Sequence, residues 1–128
     1  MLIRFVTGDR DLDSGRRQGL FQAARLLRES GKLSAADEAR LERVRDWFNA
    51  NLERPARLAI SSRANAKAQA LSWLRDSSHQ HIAKMREMQD VLERYDLPVY
   101  MIKTQRPGYV LYEDEHQVAA YPFADTPT

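Results

Sequence analysis

The chain has 128 residues, of which 43% are hydrophobic and 30% are charged, and its formal net charge is +2. These values fit one soluble domain and exclude collagenous, low-complexity and wholly disordered chains, because domains cluster near about 100 to 150 residues. The sequence contains no cysteine, so disulfides, thiolate zinc sites and cysteine nucleophiles are excluded as well.

No apolar run approaches the ~18 residues that a membrane span needs, and the apolar run at the start of the chain is too short for the core of a signal peptide. The sequence therefore predicts a cytoplasmic protein with no membrane partner. It carries neither a glycine-rich dinucleotide fingerprint nor a Gly-x-Ser-x-Gly elbow, so no cofactor is predicted.

The first element is a strand, because residues 2–6 form a short run rich in β-branched and aromatic side chains. Residues 8–15 are polar and contain two glycines, which predicts a loop. Apolar residues then recur at helical spacing, which predicts a first helix over about 16–30 with Gly31 at its C-terminal end.

A second helix begins after Ser34, which precedes Asp37 by three residues in a pattern typical of a capping box. Pro55 ends it, because the residue before a proline is disfavoured in the α conformation. Its apolar stripe has intervals of three to four residues and consists of Leu41, Val44, Trp47, Phe48 and Leu52.

Residues 64–95 carry a further helical stripe, which is interrupted by the polar residues 76–80. This pattern predicts either one long helix or two helices with a joint near Ser77. The sequence alone leaves these alternatives open.

After Pro98 the hydrophobic period changes to two, which is typical of strands. We predict a strand over 99–103 and a hairpin whose arms are 109–112 and 117–121, with its turn over 113–116. Alternation along these strands predicts that Met101 and Val110 face the core.

The element order β-α-α-α-β-β-β predicts an α+β fold. In this fold three or four helices pack on one face of a small, mostly antiparallel four-stranded sheet. Residues 1–123 are expected to form a single globular domain, and residues 124–128 a flexible C-terminal tail.

One segment, residues 54–75, contains five basic residues and no acidic residue. The pair Ser61 and Ser62 stands where a third helix would begin, and a helix start offers free backbone N–H groups and a positive dipole end. The segment predicts a site for phosphate, nucleotide or nucleic acid that consists of Arg57, Ser61, Ser62, Arg63 and Lys67. The alternative is that Ser62 caps the helix and the cations form a solvated face.

Two acid-rich stretches could hold a divalent metal. Asp9, Asp11 and Asp13 alternate as in the first half of a calcium loop, but the closing glutamate is replaced by Leu20. Asp13 or Ser14 is expected instead to cap the first helix. The sequence therefore predicts no metal site in this loop.

The hairpin turn gathers Glu113, Asp114, Glu115 and His116, the residue types of acid–base catalysis. Adjacent side chains on a tight turn diverge, so these charges are interpreted first as solubilising. The predominant hypothesis is a non-enzymatic binding module, with a phosphate-bearing ligand, nucleic acid or protein as partner. The alternative is a small enzyme that acts on a phosphorylated or nucleotide substrate through Glu113, Glu115 or His116, so enzymatic activity stays undecided.

Overall fold

The computed structural model describes residues 1–12, 15–54 and 69–128. Within these ranges the chain forms six strands and three helices in the order β-β-α-α-β-α-β-β-β. They are β1 (Leu2–Arg10), β2 (Arg17–Gly19), α1 (Leu20–Glu29), α2 (Ala35–Asn51), β3 (Leu71–Arg75), α3 (His79–Arg94), β4 (Val99–Thr104), β5 (Tyr109–Glu113) and β6 (Gln117–Tyr121). The predicted α+β class is confirmed, whereas the predicted four-stranded sheet and element order are wrong.

Helix α2 forms where the sequence predicts it. The Ser34 side chain accepts a hydrogen bond from the Asp37 backbone N–H at 3.2 Å, as expected for an N-cap. Leu41, Val44 and Phe48 of its stripe are buried. Local signals, a cap and a periodic stripe, were sufficient to define this element.

Helix α1 begins later than predicted, because residues 17–19 pair with β1 as the short strand β2. Gly19 is the N-cap residue of α1. The prediction that Asp13 or Ser14 caps this helix is therefore wrong. The predicted end is confirmed, since Gly31 adopts a φ of 74° and its N–H donates to Arg28 O at 3.2 Å.

The largest error of the sequence prediction concerns β3, which occupies residues predicted to be helical. Trp73 belongs to one core cluster, against which Leu71 packs, while Leu74 belongs to a different core cluster, so apolar residues lie on both faces of this strand. A strand between two apolar layers shows no alternation, and a short apolar run then resembles a helix segment. The break falls at residues 76–78, next to the predicted joint, and residues 64–68 lie outside the described ranges.

Strand β1 is the centre of an entirely antiparallel sheet. It extends to Arg10, beyond the predicted loop start, and β4 pairs along one of its sides. The other side pairs with β2 from Val6 onward and with β3 at Leu2 and Ile3. Strands β6 and β5 then continue the sheet from β3.

The three helices pack on one face of this sheet. Their apolar stripes join Ile3, Phe5 and Leu74 in the main core cluster. A second cluster contains Val6, Trp73 and Ile102. The prediction that Met101 and Val110 are core residues is wrong: they are 39% and 46% exposed, whereas Ile102 and Leu111 are buried. Met101 pairs with Phe5 and shares its face of the sheet, but among the described strands β4 pairs only with β1, so Met101 is incompletely covered. In β5, the pairing with β6 is irregular between Val110 and Tyr112, which a strict alternation cannot predict.

The last residues of the chain contact the rest of the protein. Thr126 is buried and its hydroxyl donates to Arg106 O at 3.2 Å, while Thr128 O accepts from the Arg17 N–H at 3.3 Å. The flexibility of residues 124–128 stays a prediction, as does the single domain over 1–123. None of the helices in the described ranges is long and apolar enough to cross a bilayer.

Candidate functional site

The site predicted from the basic segment consists of Arg57, Ser61, Ser62, Arg63 and Lys67, and all five lie outside the described residues. Their role stays a prediction. The basic residues of this segment that the structure describes are those at its two ends, Arg54 and Arg75.

These two arginines have different surroundings. Arg75 Nη2 lies 3.2 Å from Glu113 Oε2, and Arg75 Nε donates to the Asp114 carbonyl at 2.9 Å. Arg75 is therefore neutralised and held by the β5–β6 hairpin. To the described residues, Arg54 donates only a long hydrogen bond of 3.5 Å, to Asn49 Oδ1, and it lines a cavity between α1 and α2.

This interhelical cavity has a volume of about 400 Å³. It lies between α1 and α2, above β3 and β6. The rings of Phe21 and Phe48 meet edge to face across the two helices, with centroids 5.1 Å apart. The apolar part of its lining comprises Phe21, Ala24, Leu41, Phe48, Leu52 and Met88. A concave apolar surface of this size is typical of small-molecule sites.

The charged lining of the interhelical cavity is defined here as the arginine rim: Arg25, Arg28, Arg45 and Arg54. Glu53 is the one acidic residue among the described lining residues. Arg45 Nε lies 3.9 Å from Asp46 Oδ1, whereas Arg25 and Arg28 form no ion pair with any described residue. The rim therefore presents uncompensated positive charge at the edge of an apolar cavity.

On the sheet side, the described lining includes two uncharged polar residues, Ser72 and Gln117. Gln117 is only 3% exposed. Its Nε2 donates to the Glu53 carbonyl at 2.5 Å and to Asp114 Oδ2 at 3.1 Å. Strand pairing sets Ser72 opposite Ala119, so Ser72 and Gln117 are diagonal neighbours on the helix-facing side of the sheet.

The hairpin turn is held together by Asp114. Its Oδ1 accepts from the backbone N–H groups of His116 and Gln117 at 2.8 and 3.0 Å, and its Oδ2 accepts from the Tyr112 hydroxyl at 2.8 Å. The interpretation of Asp114 as a solubilising charge is thus wrong, because its carboxylate has a full set of donors and organises the turn.

These contacts also shift two pKa values. Burial raises the pKa of Asp114, but the hydrogen bonds from His116, Gln117 and Tyr112 outweigh it and leave that pKa below its ordinary value. The hydrogen bond to Asp114, with burial second, raises the pKa of Tyr112. Asp114 is therefore a carboxylate that only accepts hydrogen bonds at neutral pH.

A pair of histidines joins the hairpin to α3. The His81 and His116 rings stack with centroids 4.3 Å apart, and His116 Nδ1 lies 3.0 Å from Ser78 Oγ. His116 Nε2 lies 3.9 Å from Glu115 Oε2. Glu115 and His116 line a second cavity of about 760 Å³, and Arg54 lines it too. Glu113 faces Arg75 instead, so the predicted acid–base set reduces to Glu115 and His116.

Sequence reasoning missed the arginine rim. Its signal was present in α1, where Phe21, Arg25 and Arg28 stand at intervals of four and three and so share one face. That this face adjoins α2 and overhangs a cavity depends on tertiary packing, which the stripe alone does not reveal.

No protein-family model, curated protein or solved structure matches this chain. In the part of the chain that the structure describes, no three metal-ligating side chains of His, Asp or Glu are grouped closely enough to hold a metal ion.

Proposed function

We propose that this protein is a non-enzymatic binding module that holds a small anion with an apolar body in the interhelical cavity. The observation that carries the proposal is the composition of the described lining, in which four arginines and one glutamate surround an apolar interior. The apolar body of the ligand gains free energy by leaving water, and the anionic group is attracted by the rim.

The geometry assigns separate roles to the two parts of the site. Phe21, Phe48 and Met88 contact the apolar body, while Arg25 and Arg28 bind the anionic group. Guanidinium groups suit carboxylate and phosphate equally, because both offer paired oxygens to the planar fork. A concave site of about 400 Å³ favours a small molecule over a polynucleotide.

The residues predicted from the basic segment extend this proposal, because that segment begins at Arg54 of the rim. Their role in binding stays a prediction, because they lie outside the residues that the structure describes. This set comprises Arg57, Ser61, Ser62, Arg63 and Lys67.

Calorimetric titration with decanoate and with decanol tests the proposal, since these probes share an apolar chain and differ in charge. We expect saturable binding of one decanoate, with an affinity at least about tenfold above that of decanol and falling as salt rises. The double variant Arg25→Gln, Arg28→Gln should bind decanoate no better than decanol.

Arg43→Gln is the matched control, because Arg43 is an exposed arginine of α2 outside the described lining of the cavity. It should bind decanoate as the wild type does. Absence of saturable decanoate binding, or equal binding by the double variant and the wild type, would overturn the proposal.

A second candidate function is acid–base catalysis on a phosphorylated substrate by Glu115 and His116. The observation that favours it is that these two residues and Arg54 line one cavity, so a cation and an acid–base pair would face the same substrate. Hydrolysis of p-nitrophenyl phosphate tests it. Turnover that is lost in His116→Gln and kept in Arg43→Gln would support it, and no turnover by the wild type would reject it for this substrate class.

A further inference from the structure

The side-chain amide of Gln117 has a fixed orientation. Both of its neighbours at Nε2, the Glu53 carbonyl and the Asp114 carboxylate, can only accept hydrogen bonds. The NH₂ group must therefore point toward them, because the flipped amide would bring an oxygen against two acceptors. The oxygen Oε1 consequently points away from the hairpin turn.

This oxygen is an unused acceptor beside the cavity. Gln117 is 97% buried and lines the interhelical cavity, yet in the described ranges no donor bonds to its Oε1. Oε1 is not one of the fully buried side-chain atoms that lack a partner in the described ranges, so this oxygen is open to solvent, and a ligand that displaces its water must replace the lost hydrogen bond. The free acceptor thus specifies what a ligand in this cavity must supply, which is an N–H or O–H donor.

Ser72 adds the complementary group. It is exposed, lines the same cavity, and makes no side-chain hydrogen bond with the described residues. Its diagonal position relative to Gln117 sets the two Cβ atoms about 7 Å apart. Ser72 thus offers a hydroxyl that can donate and Gln117 a carbonyl oxygen that can accept, and these two groups complement the C=O and N–H groups of one secondary amide.

We infer that the ligand of the interhelical cavity is an N-acyl amino acid or a similar apolar carboxylate that contains a secondary amide. Its acyl chain lies against Phe21 and Phe48, its amide bonds Gln117 Oε1 and Ser72 Oγ, and its carboxylate meets Arg25 or Arg28. This inference rests on the proposed function and adds the chemical class of the ligand.

A pair of probes tests the inference without altering the protein. N-Octanoylglycine has the amide N–H, and O-octanoylglycolate replaces it with an ester oxygen in the same shape. We expect the amide to bind about tenfold more tightly, because the ester oxygen leaves Gln117 Oε1 unpaired and sets two acceptors face to face.

Variants assign the preference to its residues. In Gln117→Met, which keeps the length of the side chain, amide and ester should bind equally. Ser72→Ala should weaken the amide and the ester alike, because both keep the C=O group that accepts from Ser72. Melting temperatures establish that each variant is folded, and the two probes on the wild type decide the question if Gln117→Met fails to fold.

The outcomes separate the two proposals. Equal affinity of the wild type for amide and ester, with decanoate still bound, would overturn the inference and leave the proposed function standing. Failure of all three carboxylates to bind would overturn the proposed function itself.

Discussion

The arginine rim and the hairpin turn are both rich in charge, but they use it in opposite ways. At the turn, Asp114 accepts four hydrogen bonds and Glu113 pairs with Arg75. At the rim, Arg25 and Arg28 pair with no described residue and stand over an apolar cavity. The first arrangement stabilises the fold. In the second, the guanidinium groups stay available to form ion pairs with a ligand. The number of charges in a segment thus indicates less about function than the number that lack an internal partner.

The largest expected effect on stability concerns Phe48, in the apolar part of the lining beneath the arginine rim. Phe48→Ala should lower the free energy of unfolding by about 3 to 5 kcal/mol, because a buried phenylalanine is replaced by a void. Urea denaturation measures the change. A loss below ~1 kcal/mol would mean that the Phe48 ring contributes little to the core. It would contradict the view that the apolar lining of the cavity stabilises the fold while the arginine rim does not.

The turn should lose stability when its carboxylate is neutralised. Asp114→Asn keeps the side-chain shape but sets an NH₂ group against donors, which we expect to cost about 2 kcal/mol. Glu115→Gln is the control, since that side chain is 88% exposed and should change stability by less than about 0.5 kcal/mol. Equal effects in the two variants would contradict the structural role of Asp114.

Acid should affect the turn in a defined direction. The pKa of Asp114 is lower in the folded than in the unfolded chain, so its stabilisation is complete above the unfolded value of about 3.9 and is lost as pH falls through the folded pKa. The free energy of unfolding should therefore decline below about pH 4. Denaturation of Asp114→Asn over the same range should show a shallower decline, and an unchanged slope would refute the assignment.

The start of α2 is a second place where charge is used internally. Asp37 accepts a hydrogen bond from the Tyr95 hydroxyl at 2.8 Å and lies 3.1 Å from Arg94, beside the Ser34 cap. Ser34→Ala should cost about 1 kcal/mol, because the Asp37 N–H loses its acceptor. A shift in the denaturation midpoint measures this. Ser34→Asp, which restores a capping oxygen, should recover most of the loss.

Elements defined by local signals could be predicted, and those defined by distant partners could not. Helix α2 follows from Ser34 and its stripe, and Gly31 ends α1 as expected. Strand β3 could not be predicted, because its apolar faces depend on layers contributed by other parts of the chain.

The candidate site depended even more on tertiary packing. The basic segment predicted an anion site because it contains no acidic residue, yet its Arg75 is paired with Glu113 of the hairpin. Arg25 and Arg28 lie outside that segment and gain their importance only because α2 lies alongside them. The fixed amide of Gln117 likewise depends on Glu53, which is far away in sequence.

Measuring decanoate affinity and unfolding free energy together on two variants tests the central claim most directly. We expect the double variant Arg25→Gln, Arg28→Gln to lose at least about tenfold in decanoate affinity while its free energy of unfolding changes by less than about 0.5 kcal/mol. Asp114→Asn should lose stability and keep decanoate binding. A rim variant that is destabilised as much as the turn variant and still binds decanoate would contradict the account.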